Sequence, residues 1–355
     1  MATDRWATDQ DDEGADKALE RLSSHHIHPV LLDFLEDVDT AEGGYGVVRR
    51  ARLHHVDVPL DDKVTFKLIT QDEKHYVVPA ERPKLEKLVS TFFPQYKQHL
   101  VTHSEDVAVK GLMFFSHVAL SRMKRRFVRE ILVWLQFDHP NVLPLLGFHL
   151  DFRQSIAWFV SPWGTYGSIS DYVAKKDPKI SSDEVLRLLE GTAKGLAYLH
   201  NHNPTVCHGD IKAANVLVGS KRQALLCDFG LATMVDGESA GLQTSYSFKG
   251  SIRWCSRELL DTGQRTGSSD IWAWGFLVYE VITGKVPFQD VPGQVAVMRR
   301  ILDGELPTAK ETPEFDGAAP LWDLVQWCWS AEPGDRPTIN ECLLTLQPLL
   351  KARHS

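Results

Sequence analysis

Cys207-His208-Gly209-Asp210-Ile211-Lys212-Ala213-Ala214-Asn215-Val216-Leu217, followed after a short link by Cys227-Asp228-Phe229-Gly230, is the stretch on which the reading of this chain turns. Asp210, Lys212 and Asn215 place a carboxylate, a cation and an amide within six residues, and Asp228 adds a second carboxylate about one hairpin further on. That is equipment for holding a hydroxyl beside a metal-bound phosphate. A transferring phosphoryl group needs positioning and charge neutralisation more than covalent help. Asp210 suits the acceptor of the hydroxyl's proton, and Lys212 supplies a fixed positive charge. Asn215 and Asp228 are oxygen donors of the kind that suits a hard cation which keeps several waters. The expected chemistry is phosphoryl transfer.

The stretch resembles the catalytic loop and D-F-G segment of the protein kinases, and the likeness runs over roughly residues 30 to 350. It implies an α+β, two-lobed protein-kinase-like fold, with a small β-rich N-lobe carrying one helix and a larger, mainly helical C-lobe. It also implies ATP as substrate, Mg2+ as cofactor and proteins with Ser/Thr acceptors as partners. Lys212 two residues after Asp210, the pair Gly250-Ser251 and Trp254 favour the serine/threonine type. Gly195-Leu196-Ala197-Tyr198-Leu199-His200 and Gly250-Ser251-Ile252-Arg253-Trp254 look like the tyrosine kinase-like group.

Upstream, Ala41-Glu42-Gly43-Gly44-Tyr45-Gly46-Val47-Val48 resembles the phosphate loop of that family, with Ala41 in place of its first glycine. Glycines let backbone amides approach phosphate oxygens, and an aromatic near the tip caps the site from water. Two lysines suit the strand lysine that grips phosphate: Lys67 in Val64-Thr65-Phe66-Lys67, and Lys110 in Val107-Ala108-Val109-Lys110. Each has a glutamate at similar distance, Glu86 or Glu130. Lys110 is preferred, because Ala108 is small enough to lie against an adenine ring and Glu130 leads into His139-Pro140-Asn141-Val142, as in the family. By the same resemblance Ser161 backs the nucleotide pocket, Pro162-Trp163-Gly164 is the hinge, and Val48 and Leu217 line the nucleotide site. Glu258 is expected to pair with Arg336, and Asp270 to hold the catalytic-loop backbone. His208 is read as a packed residue under Phe229.

The expected layout is an acidic disordered tail at 1–28 and a kinase domain at 29–350. Within it the N-lobe covers 29–162, with an insertion at 54–105, and the C-lobe 165–350. In the insertion Val64, Phe66 and Leu68 alternate as in a strand, while Leu85, Leu88, Val89 and Phe92 recur at helical spacing. The basic start of the next helix, Lys124-Arg125-Arg126, reads as a solvated face.

The 355 residues carry a formal net charge of -8, which argues against nucleic acid as the main partner. Five cysteines without metal-type spacing fit reduced thiols and a cytoplasmic protein. The opening residues do not read as a secretory signal, and the apolar run Ile271 to Ile282 is too short to span a bilayer, so no membrane insertion is expected. Two other readings stay open: a pseudokinase serving as a nucleotide-binding scaffold, and a small-molecule phosphotransferase. Gly209 stands where many kinases carry an arginine that needs a phosphorylated activation loop, so activity independent of such phosphate is expected.

Overall fold

Val107-Ala108-Val109 is a run of small and β-branched residues buried on both faces, the pattern of an interior strand. In the computed structural model, which describes residues 12–27, 29–35, 41–43, 46–56, 101–112, 120–151, 156–175, 181–235, 251–315 and 318–351, it forms the middle of a six-stranded sheet. The strands are β1 (Leu32–Phe34), β2 (Ala41–Gly43), β3 (Gly46–Val56), β4 (Val101–Gly111), β5 (Gly147–Asp151) and β6 (Ile156–Pro162). Their order is β1-β3-β4-β6-β5, with β2 paired to β3. Every named pairing in it is antiparallel. Leu32, Ala51, Leu53, Val107, Val109 and Val160 close one face as a buried cluster. Helix α2 (Leu120–Trp134) packs through Phe127, stacked on Phe159 at 4.6 Å, and through Trp134. It ends at Trp134, and further on Pro140 keeps His139 out of helical geometry, so the helix does not resume.

The chain divides into two compact units, residues 1–137 with 144–163, and residues 138–143 with 164–355. The second is mainly helical. Its helices are α3 (Ile169–Ala174), α4 (Ser182–His200), α5 (Arg257–Thr262), α6 (Gly267–Thr283), α7 (Gln294–Leu302), α8 (Ala319–Cys328) and α9 (Ile339–Lys351). Two short ribbons pair β7 (Thr205–Cys207) with β10 (Thr233–Val235), and β8 (Val216–Val218) with β9 (Ala224–Leu226). Helix α6 is mostly apolar and accordingly buried, as expected of a core helix, with Asp270 and Glu280 the buried carboxylates on it. Its Trp274 indole donates to Thr192 Oγ1 of α4 at 2.9 Å, so the buried N–H has a partner. Ser181 caps α4 by accepting from the Glu184 amide at 3.1 Å, while the Glu184 carboxylate is turned to the Tyr172 hydroxyl at 2.6 Å. The capping box suggested by Ser181 and Glu184 is therefore only half formed. No described helix is long and apolar enough to cross a membrane.

Three expectations need correction. The tail at 1–28 is not disordered throughout: residues 12–21 form helix α1 (Asp12–Arg21), with Ala15 and Ala18 buried against Val128 of α2. The basic start of α2 is not simply solvated, because Lys124 pairs with Asp16 and its side chain is only 13% exposed. The insertion is shorter than 54–105, since both of its ends are strand: His54 pairs with Ser104, and Val56 with Val101. Lys67 and Glu86, with the alternating and helical segments read between 64 and 92, lie outside the described residues, as do Gly44 and Tyr45.

Candidate active site

β7 delivers the chain into the loop at His208, and two buried carboxylates of α6 hold that loop by its backbone. Asp270 Oδ2 accepts the amide of His208 at 2.7 Å and Oδ1 that of Gly209 at 2.9 Å, while His200 Nε2 lies 3.0 Å from Oδ2. Ten residues on, Glu280 Oε2 accepts the amide of Ala213 at 2.9 Å and the indole N–H of Trp254 at 2.7 Å. Burial raises the Glu280 carboxyl to about 7, against the opposing pull of those two bonds and of Lys212. His208 is fully buried, 5.2 Å from the Phe229 ring, with Nε2 3.1 Å from the Cys227 carbonyl. It is a packed residue, as read in the sequence.

Between those anchors the polar side chains converge. Lys212 Nζ donates to Asp210 Oδ2 at 2.9 Å and to Ser251 Oγ at 2.6 Å. Asn215 Nδ2 donates to the Asp210 carbonyl and to Asp210 Oδ2, both at 2.8 Å. Both side-chain bonds thus fall on one carboxylate oxygen and leave Oδ1 for another proton. They also spend the amide nitrogen of Asn215, so its carbonyl oxygen remains as a donor to a cation. Asp228 sits in the left-handed region, at φ 68° and ψ 72°, a conformation that costs a non-glycine residue about 1–2 kcal/mol.

Among the described residues no group of three or more His, Cys, Asp or Glu gathers as a metal cage. The donor set of Asn215 and Asp228 instead fits Mg2+, which takes one or two protein oxygens and fills the rest of its shell with phosphate and water. Further along, Glu258 and Arg336 form a bidentate pair at 2.6 and 2.9 Å, with Ser256 also donating to the carboxylate at 2.6 Å. Burial works against the Glu258 charge, but the Arg336 and Ser256 hydrogen bonds outweigh it and hold the carboxyl below its ordinary value. Leu217 packs close to Gly164, where a Cβ would meet its side chain at 3.1 Å.

The first unit carries the other expected residues. Lys110 Nζ lies 3.5 Å from Glu130 Oε1, and the glutamate is almost fully buried. Val48 faces Lys110 across the β3–β4 ladder, and Ala108 faces Ser161 across β4–β6. Pro162 ends β6, and the Trp163 amide bonds the Asp106 carbonyl at 3.2 Å. Gly43 and Gly46 close the β2–β3 hairpin as a register pair.

Three side chains of this region have contacts that escaped the sequence reading. Glu280 and Trp254 tie the loop to α6, and a glutamate inside an otherwise apolar helix was the available signal. Arg265 is the third. It lies over Gly209, whose φ is +76°, and its Nε donates to the Gly209 carbonyl at 3.4 Å. The arginine absent at position 209 thus has a neighbour that the sequence reading did not name: glycine makes room for a guanidinium brought in from the link between α5 and α6.

The family model for protein tyrosine and serine/threonine kinase matches residues 79–346, and the chain belongs to that family. The sheet-rich and mainly helical units are the two lobes of its fold. Strands β1 to β3 precede the matched segment, so the place of the glycine turn rests on the pairing of β2 with β3 and of β3 with β4. The chain is 31% identical over 235 residues to receptor-interacting serine/threonine-protein kinase 3 of Rattus norvegicus, covering 61% of this chain and 47% of that protein. It is 26% identical over 351 residues to the probable serine/threonine-protein kinase roco7 of Dictyostelium discoideum, covering 94% and 13%. It is 30% identical over 231 residues to ephrin type-A receptor 1 of Homo sapiens, covering 64% and 22%. The chain spans less than half the length of each of these relatives.

Proposed function

We propose that this chain transfers the γ-phosphoryl group of ATP to serine and threonine hydroxyls of protein substrates. The observation that carries the reading is the Asp210–Lys212–Ser251 network, with Asn215 bonded to the same carboxylate. In the mechanism Asp210 accepts the proton of the attacking hydroxyl on Oδ1, while Lys212 and Asn215 fix its carboxylate plane through Oδ2. Lys212 also holds positive charge at the point of transfer. Asn215 and Asp228 would hold Mg2+, which neutralises charge on the phosphates when bound. Lys110, oriented by Glu130, grips the phosphates under the turn at Gly43, Gly44, Tyr45 and Gly46. The adenosine end is assigned to Val48, Ala108, Ser161, Pro162, Gly164 and Leu217. The five free thiols support work in the reducing cytoplasm.

The test is incubation with labelled ATP and Mg2+ beside peptides that differ only in a Ser, Thr or Tyr acceptor, and beside amino alcohols and sugars. Label is expected on Ser and Thr. Asp210→Asn is expected to keep ATP binding and to lower turnover by two to four powers of ten, about 3 to 5 kcal/mol of barrier. Label on tyrosine alone overturns the acceptor assignment, and label on a small molecule overturns the substrate class. ATP binding without any transfer makes the chain a scaffold, and near-normal turnover of Asp210→Asn removes the mechanism.

A further inference from the structure

Helix α1 opens with acidic residues, yet one stripe of it is apolar. Ala15 and Ala18, spaced by three, are 0% and 1% exposed; with Leu19 they pack on Val128 and Leu132 of α2. Alanines at such a seam let two helix backbones come close, and Asp16 beside them pairs with Lys124 at the start of α2. The segment that follows is fastened to the sheet. The Ile27 amide donates to the Phe148 carbonyl at 2.7 Å, and His26 Nε2 lies 3.2 Å from His149 Nδ1. Gly147 of β5 is required there, because a Cβ on it would stand 2.8 Å from the Ile27 side chain. Residues 12–27 are thus attached at both ends, by the helix to α2 and by residues 26 and 27 to β5.

The geometry of α2 gives this attachment a consequence. Val128 and Glu130 are two residues apart, which at 3.6 residues per turn separates them by roughly 200° around the helix. Val128 meets α1, while Glu130 turns to Lys110 in β4, 3.5 Å away. Helix α2 is therefore held from two sides, by the sheet through Phe127 and Trp134 and by α1 through Val128 and Leu132. We propose that α1 is a positioning element for phosphoryl transfer: Ala15, Ala18 and Asp16 hold α2 where Glu130 orients Lys110. The proposal rests on the reading under Proposed function for its catalytic consequence, and on α1 and α2 alone for its structural one.

The test uses the full chain and two readouts, turnover at saturating Mg2+-ATP and the exchange of the α2 backbone amides with deuterium. Ala18→Glu puts a charge into the buried seam. It is expected to lower turnover roughly tenfold, about 1.4 kcal/mol, to leave KM for the peptide unchanged and to speed exchange in α2. Asp16→Lys, at a position too exposed to endanger folding, sets two cations together and is expected to cost about threefold, within the range of a single surface pair. Adding Lys124→Asp to Asp16→Lys restores the pair in reverse and is expected to return most of the loss in both readouts, which an effect of the new lysine unrelated to Lys124 would not show. Full turnover and unchanged α2 exchange in both single variants overturn the proposal. So does a change in either readout without the other, or a failure of the reversed pair to recover. If the wild-type chain transfers no phosphate, the proposed function falls, and α2 exchange alone decides whether α1 positions that helix.

Discussion

The catalytic loop and the Lys110–Glu130 pair are held in opposite ways. The loop is anchored by its backbone: four N–H donors, three from its own peptide groups and one from the Trp254 indole, end on two buried carboxylates of a single core helix. The pair is a side-chain contact of 3.5 Å, and one partner rides on a helix whose place depends on packing from both sides. Breaking a buried backbone anchor leaves a donor unsatisfied, so the loop cannot shift without a loss of fold stability. The pair can lengthen at small cost to the fold. Rigidity is therefore invested in the loop that carries Asp210, and adjustability in the contact between Lys110 and Glu130.

The largest expected effect tests this contrast directly. Asp270→Asn keeps one carbonyl acceptor but turns an amide N–H toward the other donors. With each unsatisfied group worth about 1–3 kcal/mol, a stability loss near 3 kcal/mol is expected, with activity falling alongside. Glu130→Gln is expected to lower turnover about tenfold or more while leaving stability within about 1 kcal/mol, because the Lys110 side chain, 19% exposed, keeps access to water once the glutamate's charge is gone. Urea unfolding and steady-state turnover on both variants check it. A destabilised Glu130→Gln beside an unchanged Asp270→Asn would invert the comparison.

What the sequence disclosed follows the same division. That Asp210, Lys212 and Asn215 come together was legible because they are packed into one short run, and the Glu258–Arg336 pair because the resemblance supplied the partner. Helix α1 was missed: its net negative charge suggested a solvated tail, and the small stripe of Ala15, Ala18 and Leu19 is weak evidence for a helix until Val128 is there to cover it. Glu280 was missed for the reverse reason, since a lone glutamate in an apolar run reads as an exception to the core instead of a tether. Arg265 lies 56 residues from Gly209, beyond the reach of spacing arguments.

The two carboxylates that anchor the loop also differ, and pH separates them. Glu280 has a folded-state value of about 7 against an ordinary 4.5, so the folded chain holds this proton more tightly than the unfolded chain. The stabilisation it brings is whole below pH 4.5 and is lost as pH rises to about 7, in total about 3 kcal/mol. Glu280→Gln, which cannot titrate, is expected to remove that slope. Urea midpoints of both proteins at pH 5.0, 6.0 and 7.5 decide it. Parallel curves would mean that Trp254, Ala213 and Lys212 keep the carboxylate charged throughout.

The smallest effect concerns Gly209, where the loop meets the flexible side chain of Arg265. Gly209 has φ +76°, which costs an L-residue about 1–2 kcal/mol, and a Cβ there would stand 2.7 Å from Arg265 Nε and 2.8 Å from the Leu231 carbonyl oxygen. Arg265 can swing aside, whereas the Leu231 carbonyl is main chain, two residues ahead of β10, whose Thr233 pairs with Cys207 of β7, and cannot do so cheaply. Gly209→Ala is accordingly expected to lose about 1–2 kcal/mol, and adding Arg265→Ala should recover only a part of it, because the backbone conformation and the Leu231 contact remain. Full recovery in the double variant would locate the whole cost in Arg265 and make this end of the loop as adjustable as the Lys110–Glu130 pair. No recovery at all would locate it in the backbone, and would leave Arg265 as a passenger on a loop fixed from below by Asp270.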